Sequence, residues 1–194
     1  MNNAMEARAL IEDLQASVRG QQRRMQELEA LPLGELEQRP GAKAWSALEI
    51  IEHLNILSGH YVSRLRRAYS GEKVTHGGTF VPGHWGEKLT IGMRPLKDGT
   101  IPGPMRTLWF FEPKTAKAKG KQSLLDFQAL LAEQAVLLDK ATAQGMEGPR
   151  ITSTLGPVLR FKIGDAFRFM IAHQERHFVQ LERAMKVVAP QHSA

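Results

Sequence analysis

His173 and His177 stand four residues apart in the run Ile171-Ala-His-Gln-Glu-Arg-His-Phe-Val-Gln-Leu-Glu-Arg, near the C-terminus. On an α-helix that spacing stacks the two imidazoles on one face, one turn apart. Their ring nitrogens can then converge on one metal ion. Leu181 and Ala184 continue the same face, while Glu175, Arg176, Glu182 and Arg183 lie largely elsewhere. The segment reads as an amphipathic helix whose inward stripe carries two polar rings. A third ligand would complete a catalytic-type site, and His53 offers one. Taken alone, the pair is also what two solvated or hydrogen-bonded histidines would look like, so the elements around it decide.

The chain contains no cysteine. Disulfides, thiolate nucleophiles and cysteine-based zinc sites are thereby removed, and a metal must be held by His, with Asp or Glu as further candidates. With 194 residues, 42% hydrophobic and 24% charged, the chain is expected to form a single domain with a sizeable core. No run approaches the roughly 20 apolar residues that span a bilayer. Met1 to Asp13 lacks a basic region followed by an apolar core, so no export signal is read and a cytoplasmic location is expected.

The net charge of +6 invites a nucleic-acid reading. Between Arg94 and Lys121, however, seven Lys/Arg face two acids, a local excess of five that concentrates the charge in one loop-like region. The helical segments are nearly balanced, and a solvated loop accounts for the excess without a nucleic acid, contact of that loop with an anionic ligand being left open.

Four segments carry helical periodicity. From about Met5 to Leu31, apolar residues recur at threes and fours through Leu10, Ile11, Leu14, Val18, Met25 and Leu28, with Gly20 as a weak spot and Pro32 and Gly34 as the stop. Ser46-Ala-Leu-Glu49 is a capping box that opens a second helix running to about Tyr69. His53 and His60 lie on it, seven residues apart. Ser123 to about Gln144 is the third helix, and the last begins between Lys162 and Asp165 and runs to about Val188.

Residues 71–120 differ from the rest. Nine Gly and five Pro in fifty residues preclude long regular structure, yet Phe80, Trp85, Trp109, Phe110 and Phe111 are too apolar for a disordered linker. An ordered crossover packed by its own aromatics, with room for a short helix, is expected. Gly145, Gly148, Pro149, Gly156 and Pro157 punctuate a second loop. The fold class is therefore all-α: a four-helix bundle with a long crossover between helices two and three. Bundles of this kind build metal sites from inward side chains on facing helices, which is where His53 and His173/His177 fall.

Two stretches carry a family resemblance: Arg39-Pro40 with Trp45-Ser46-Ala47-Leu48-Glu49-Ile50-Ile51-Glu52-His53-Leu54, and His173-Gln-Glu-Arg-His177-Phe-Val-Gln180. A tryptophan-serine helix start leading to a His-Leu pair, then a distant His-x3-His, resembles the DinB-like metal-binding four-helix bundles. That superfamily includes bacterial thiol-dependent S-transferases and mycothiol-dependent maleylpyruvate isomerases. The resemblance spans the helical frame from roughly Ala4 to Val188, whereas the 71–120 loop is longer and richer in Gly and Pro than in typical members. It implies His53, His173 and His177 as ligands of a divalent metal, commonly zinc or nickel, and many members have no assigned reaction.

Three imidazoles leave an open metal position, which can take water or bind a thiol as the nucleophilic thiolate. Without a cysteine, that thiol would have to arrive on a low-molecular-weight cofactor, to react with a small-molecule substrate. The sequence leaves S-transfer and hydrolysis both open, beside a bundle that binds metal or a partner without catalysis. Homodimer formation is open too. His60 matches no family position and is expected to have no role in the site, and His76 and His84 are read as solvated loop residues. Gln180, one turn beyond His177, is placed to orient a ligand through a hydrogen bond. Glu49 belongs to the helix cap, Glu52 is expected on the solvent face, and Trp45, Trp85 and Trp109 are expected in the core or at a pocket wall.

Overall fold

The first long helix, α1 (Ala7–Glu29), is opened by Glu6, whose carboxylate accepts from the amides of Arg8 and Ala9 at 3.0 and 2.6 Å. Two amides that have no partner inside the helix are satisfied this way. The computed structural model describes residues 4–71, 73–96, 98–103, 111–113 and 119–188. Among these, α1 buries Leu10, Ile11, Leu14, Val18, Met25 and Leu28, the stripe that its spacing predicts, and Gly20 does not interrupt it. After Pro32 the linker forms one further short helix, α2 (Leu33–Glu37).

Helix α3 (Ala47–Tyr69) begins at the Ser46/Glu49 capping box, with Glu49 N to Ser46 Oγ at 3.2 Å and Ser46 N to Glu49 Oε2 at 2.9 Å. Arg39 also reaches the Glu49 carboxylate, so the linker is tied to the helix start. The crossover holds a helix of its own, α4 (His84–Met93), and is followed by α5 (Lys121–Gln144) and α6 (Ile163–Val188).

The long helices pack in a ring: α5 and α6 each lie against both α1 and α3. Side-chain pairs fix their directions. Ser17 meets Glu175 and Arg24 meets Glu182, so α1 and α6 run parallel. Gln15 meets Asp139 and Gln128 meets Glu29, so α1 and α5 are antiparallel. Asn55 bonds Ser123 and Arg66 pairs with Glu133, so α3 and α5 are parallel. This explains the length of the 71–120 connection. At about 1.5 Å per residue, the 23 residues of α3 extend roughly 34 Å, and a parallel successor must start again at the opposite end.

The return path is partly regular. Strand β1 (Met5–Glu6) pairs antiparallel with β2 (Thr79–Phe80), and α4 then packs along α6. Asp165 in the first turn of α6 accepts from Gly83 N at 2.8 Å, and the buried Arg168 bridges Asp165 and Glu87. A Cβ on Gly86 would lie 2.3 Å from the Asp165 carboxyl carbon, so α4 can approach this closely only with glycine there. Trp109 and Phe110 lie outside the described residues.

Three expectations are corrected. The 145–162 loop holds a hairpin, β3 (Ile151–Ser153) with β4 (Gly156–Phe161), whose short strands leave too little alternation to read. Glu52 faces α5, not solvent, where it is buried and accepts from Ser123 Oγ at 2.9 Å in the helix's first turn. The positive end of α5 helps to offset that burial. Trp85 is 55% exposed, with Lys88 over its ring at 5.4 Å, rather than in the core.

Candidate metal centre

Helix α6 is surrounded by α1, α3 and α4, which buries every residue from Ile163 to Gln174 and then Arg176 to Phe178. His173 and His177 are therefore taken out of water by position alone. His53 faces them from the second turn of α3, where Ile50, Ile51 and Leu54 are buried as well. The spacing of four brings the His173 and His177 Nε2 atoms to 3.1 Å, and the packing of α3 on α6 brings His53 Nε2 to 3.2 Å from His173 Nε2. All three residues offer a ring nitrogen within 4.8 Å of the others. Metal–nitrogen bonds of about 2.0–2.1 Å at tetrahedral angles place donor nitrogens roughly 3.3 Å apart, so the spacing suits one ion.

The outer nitrogens fix the tautomers of two rings. His53 Nδ1 donates to the Phe111 carbonyl at 2.8 Å, since a carbonyl can only accept. His177 Nδ1 donates to Gln180 Oε1 at 2.8 Å. Both rings thus carry a bare lone pair on Nε2, turned toward His173. Nε2 of His173 can hold one proton for two such neighbours, and among the described residues its own Nδ1 has no hydrogen-bond partner. Protonating the rings is not a remedy. Burial lowers the pKa of His53, lowers that of His177 to about 3, and lowers that of His173 well below the ordinary value, with the neighbouring His177 and His53 adding to the effect on His173. Three neutral donors aimed at one point are the arrangement a divalent cation satisfies.

Trp45, half-buried, closes one side. Its ring lies 5.2 Å from His53 and is stacked on His177 at 6.3 Å. The crossover covers another side: Arg176 donates to the carbonyls of Pro102 and Gly103, and Arg183 to that of Gly99. The carboxylates that α3 and α6 carry beside the ligands are engaged elsewhere. Glu175 accepts from Ser17 and pairs with Arg94, Glu52 is bound to Ser123, and Glu49 to Ser46 and Arg39.

His60 stands apart from the three and bonds the Thr152 carbonyl at 2.8 Å. His76 is exposed, and His84 is exposed against Trp85. Of the basic crossover, Arg94, Lys119 and Lys121 contact Glu175, Asp126 and the Glu29 carbonyl, while Lys97, Arg106, Lys114 and Lys117 lie outside the described residues. The Phe111 carbonyl was not legible in the sequence, because a backbone acceptor 58 residues from its histidine leaves no side-chain signal.

A family model described as the DinB superfamily matches residues 16–181, most of the chain and all three histidines. No curated protein and no solved structure matches it. None of the helices in the described residues is long and apolar enough to cross a membrane.

Proposed function

The chain belongs to the DinB superfamily, and on that premise we propose that it is a divalent-metal enzyme of the thiol S-transfer class. His53, His173 and His177 would hold the ion, zinc or nickel being the expected metals. The observation that carries this reading is the convergence of three neutral Nε2 donors whose outer nitrogens are, in two cases, bound to oxygen. An ion held by three imidazoles supplies Lewis acidity at its open position, where the pKa of a bound thiol or water falls.

The chain's own groups favour the thiol. Activating water, with a pKa near 15.7 in bulk, commonly draws on a carboxylate as general base. The carboxylates that α3 and α6 carry beside the ligands are already bound to Ser17, Arg94, Ser123, Ser46 and Arg39. A thiol, with a pKa of about 8.5, needs far less assistance to ionise. Because the chain has no cysteine, the thiol must come from a small molecule. Phe111 and Gln180 keep His53 and His177 in the ligating tautomer, and Trp45 shields the pair from water on its side.

The test is spectroscopic. Cobalt-loaded protein titrated with a small thiol should develop a sulfur-to-metal charge-transfer band, with consumption of thiol when an electrophile is added. Hydrolysis of an ester without thiol, and no such band, would assign the site to water instead.

A further inference from the structure

At the end of the bundle remote from the histidines, a cavity of about 800 Å³ is lined by Arg64, Arg67, Lys73 and Arg150 over Ala68 and Ile151. Arg64 is eleven residues beyond His53 on α3, about 16 Å along the helix axis. Three separate stretches of chain meet here. His60 Nε2 bonds the Thr152 carbonyl, Tyr69 Oη donates to the Gly145 carbonyl at 2.9 Å, and Thr75 N donates to the Glu147 carbonyl at 2.8 Å. Gly145, at φ +92°, permits the approach, since a Cβ there would lie 2.1 Å from the Thr75 oxygen. The walls are therefore set by backbone contacts and do not wait on a ligand.

The charge is not explained by the fold. Cations in the last turns of α3 complement its dipole, which accounts for Arg67 and in part for Arg64. Lys73 and Arg150 come from other segments and are brought to the same groove. Among the described residues no carboxylate lies within ion-pair distance of any of the four, although eight other Lys or Arg side chains in this protein have one. Arg64 is half-buried, and one of its amino groups is spent on the His60 carbonyl, which aims the rest of the guanidinium. Arg160 stands opposite Thr152 in the hairpin register, on the same face of the two strands.

We infer that this groove is a binding site for a small phosphorylated molecule, separate from the metal centre. Guanidinium groups bind phosphate oxygens in forked pairs, and four cations match a dianionic or trianionic group. The volume falls within the range of small-ligand sites, and Ala68, Ile151 and Pro149 supply apolar surface for an organic body.

Inorganic pyrophosphate serves as the probe, titrated calorimetrically at low ionic strength into the full chain as purified. Saturable binding is expected, weakened about tenfold or more in Arg67→Gln/Arg150→Gln and unchanged in Lys140→Gln, given the strength of charged hydrogen bonds. Binding should persist in His53→Ala. Loss in His53→Ala with retention in the arginine variant would place the phosphate on the metal and overturn the inference, as would no binding at all. Preference for a single-stranded oligonucleotide at equal phosphate concentration, with a salt slope of several phosphates, would assign the groove to a nucleic-acid backbone and overturn it equally. Circular dichroism of both arginine positions' variants, which alter exposed side chains, separates lost binding from lost fold.

Discussion

His173 and His177 set their Nε2 atoms 3.1 Å apart while His177 commits its outer nitrogen to Gln180, so the short contact faces a lone pair. His53 repeats the relationship from α3 at 3.2 Å, with its outer nitrogen committed to the Phe111 carbonyl. One proton on His173 cannot serve both neighbours well, and the interior disfavours a second. A cation at the meeting point would replace that shared proton and take a lone pair from each of the three rings.

His53→Ala, His173→Ala and His177→Ala are each expected to weaken metal binding by more than about 100-fold, beyond what a supporting residue contributes. His60→Ala should stay close to wild type, because its ring is bound to Thr152 away from the three. Competition against a coloured chelator measures both, and equal losses in His60→Ala would contradict the grouping.

Gln180→Leu should lower metal affinity by about 10- to 100-fold by freeing the His177 ring to rotate and change tautomer. Gln180→Glu keeps an acceptor at the same reach and should recover most of the loss. If Leu and Glu behave alike, the 2.8 Å bond to His177 Nδ1 has no part in holding the ligand.

Metal-free protein should lose stability as pH falls below 6.5. Unfolded histidines take up protons near pH 6.5, whereas burial keeps His177 neutral to about 3 and also depresses His53 and His173. The unfolded state then binds more protons, so stability is full above pH 6.5 and declines toward pH 3, by up to about 1.4 kcal/mol per pH unit for each ring. In urea titrations between pH 7 and 5, the stability difference between wild type and His177→Gln should shift with pH in that direction. A difference that does not change with pH would contradict buried, neutral rings.

Much of the frame was legible because its signals are local. The apolar stripe of α1, the Ser46/Glu49 box and the His-x3-His spacing each lie within one or two helical turns. What escaped depends on partners distant in sequence. Glu52 reads as a surface residue until α5 brings Ser123 against it, and the short helix allowed for in the crossover could not be given bounds, because Gly86 and Gly92 lower the helical signal of α4. The Phe111 carbonyl has no side chain to announce it. Val136 of α5 is apolar yet 54% exposed, since α5 is covered on fewer sides than α6.

The seat of α4 can be tested with paired glycine variants. Gly86→Ala forces a Cβ to within 2.3 Å of the Asp165 carboxyl carbon and should destabilise by about 1–3 kcal/mol in chemical denaturation. Gly92→Ala, in the same helix with nothing within 4 Å of its added Cβ, should be neutral or stabilise by up to about 1 kcal/mol. The reverse order would mean that α4 does not pack on the start of α6 as described.

The most direct test of the metal centre is the elemental content of protein purified without a metal-affinity tag, after equilibration with zinc or nickel and extensive dialysis. Close to one divalent ion per chain is expected for wild type, with near-complete loss in both His53→Ala and His177→Ala proteins that retain helical circular dichroism. Wild-type metal content in those two variants would contradict the assignment of His53, His173 and His177 as a shared site.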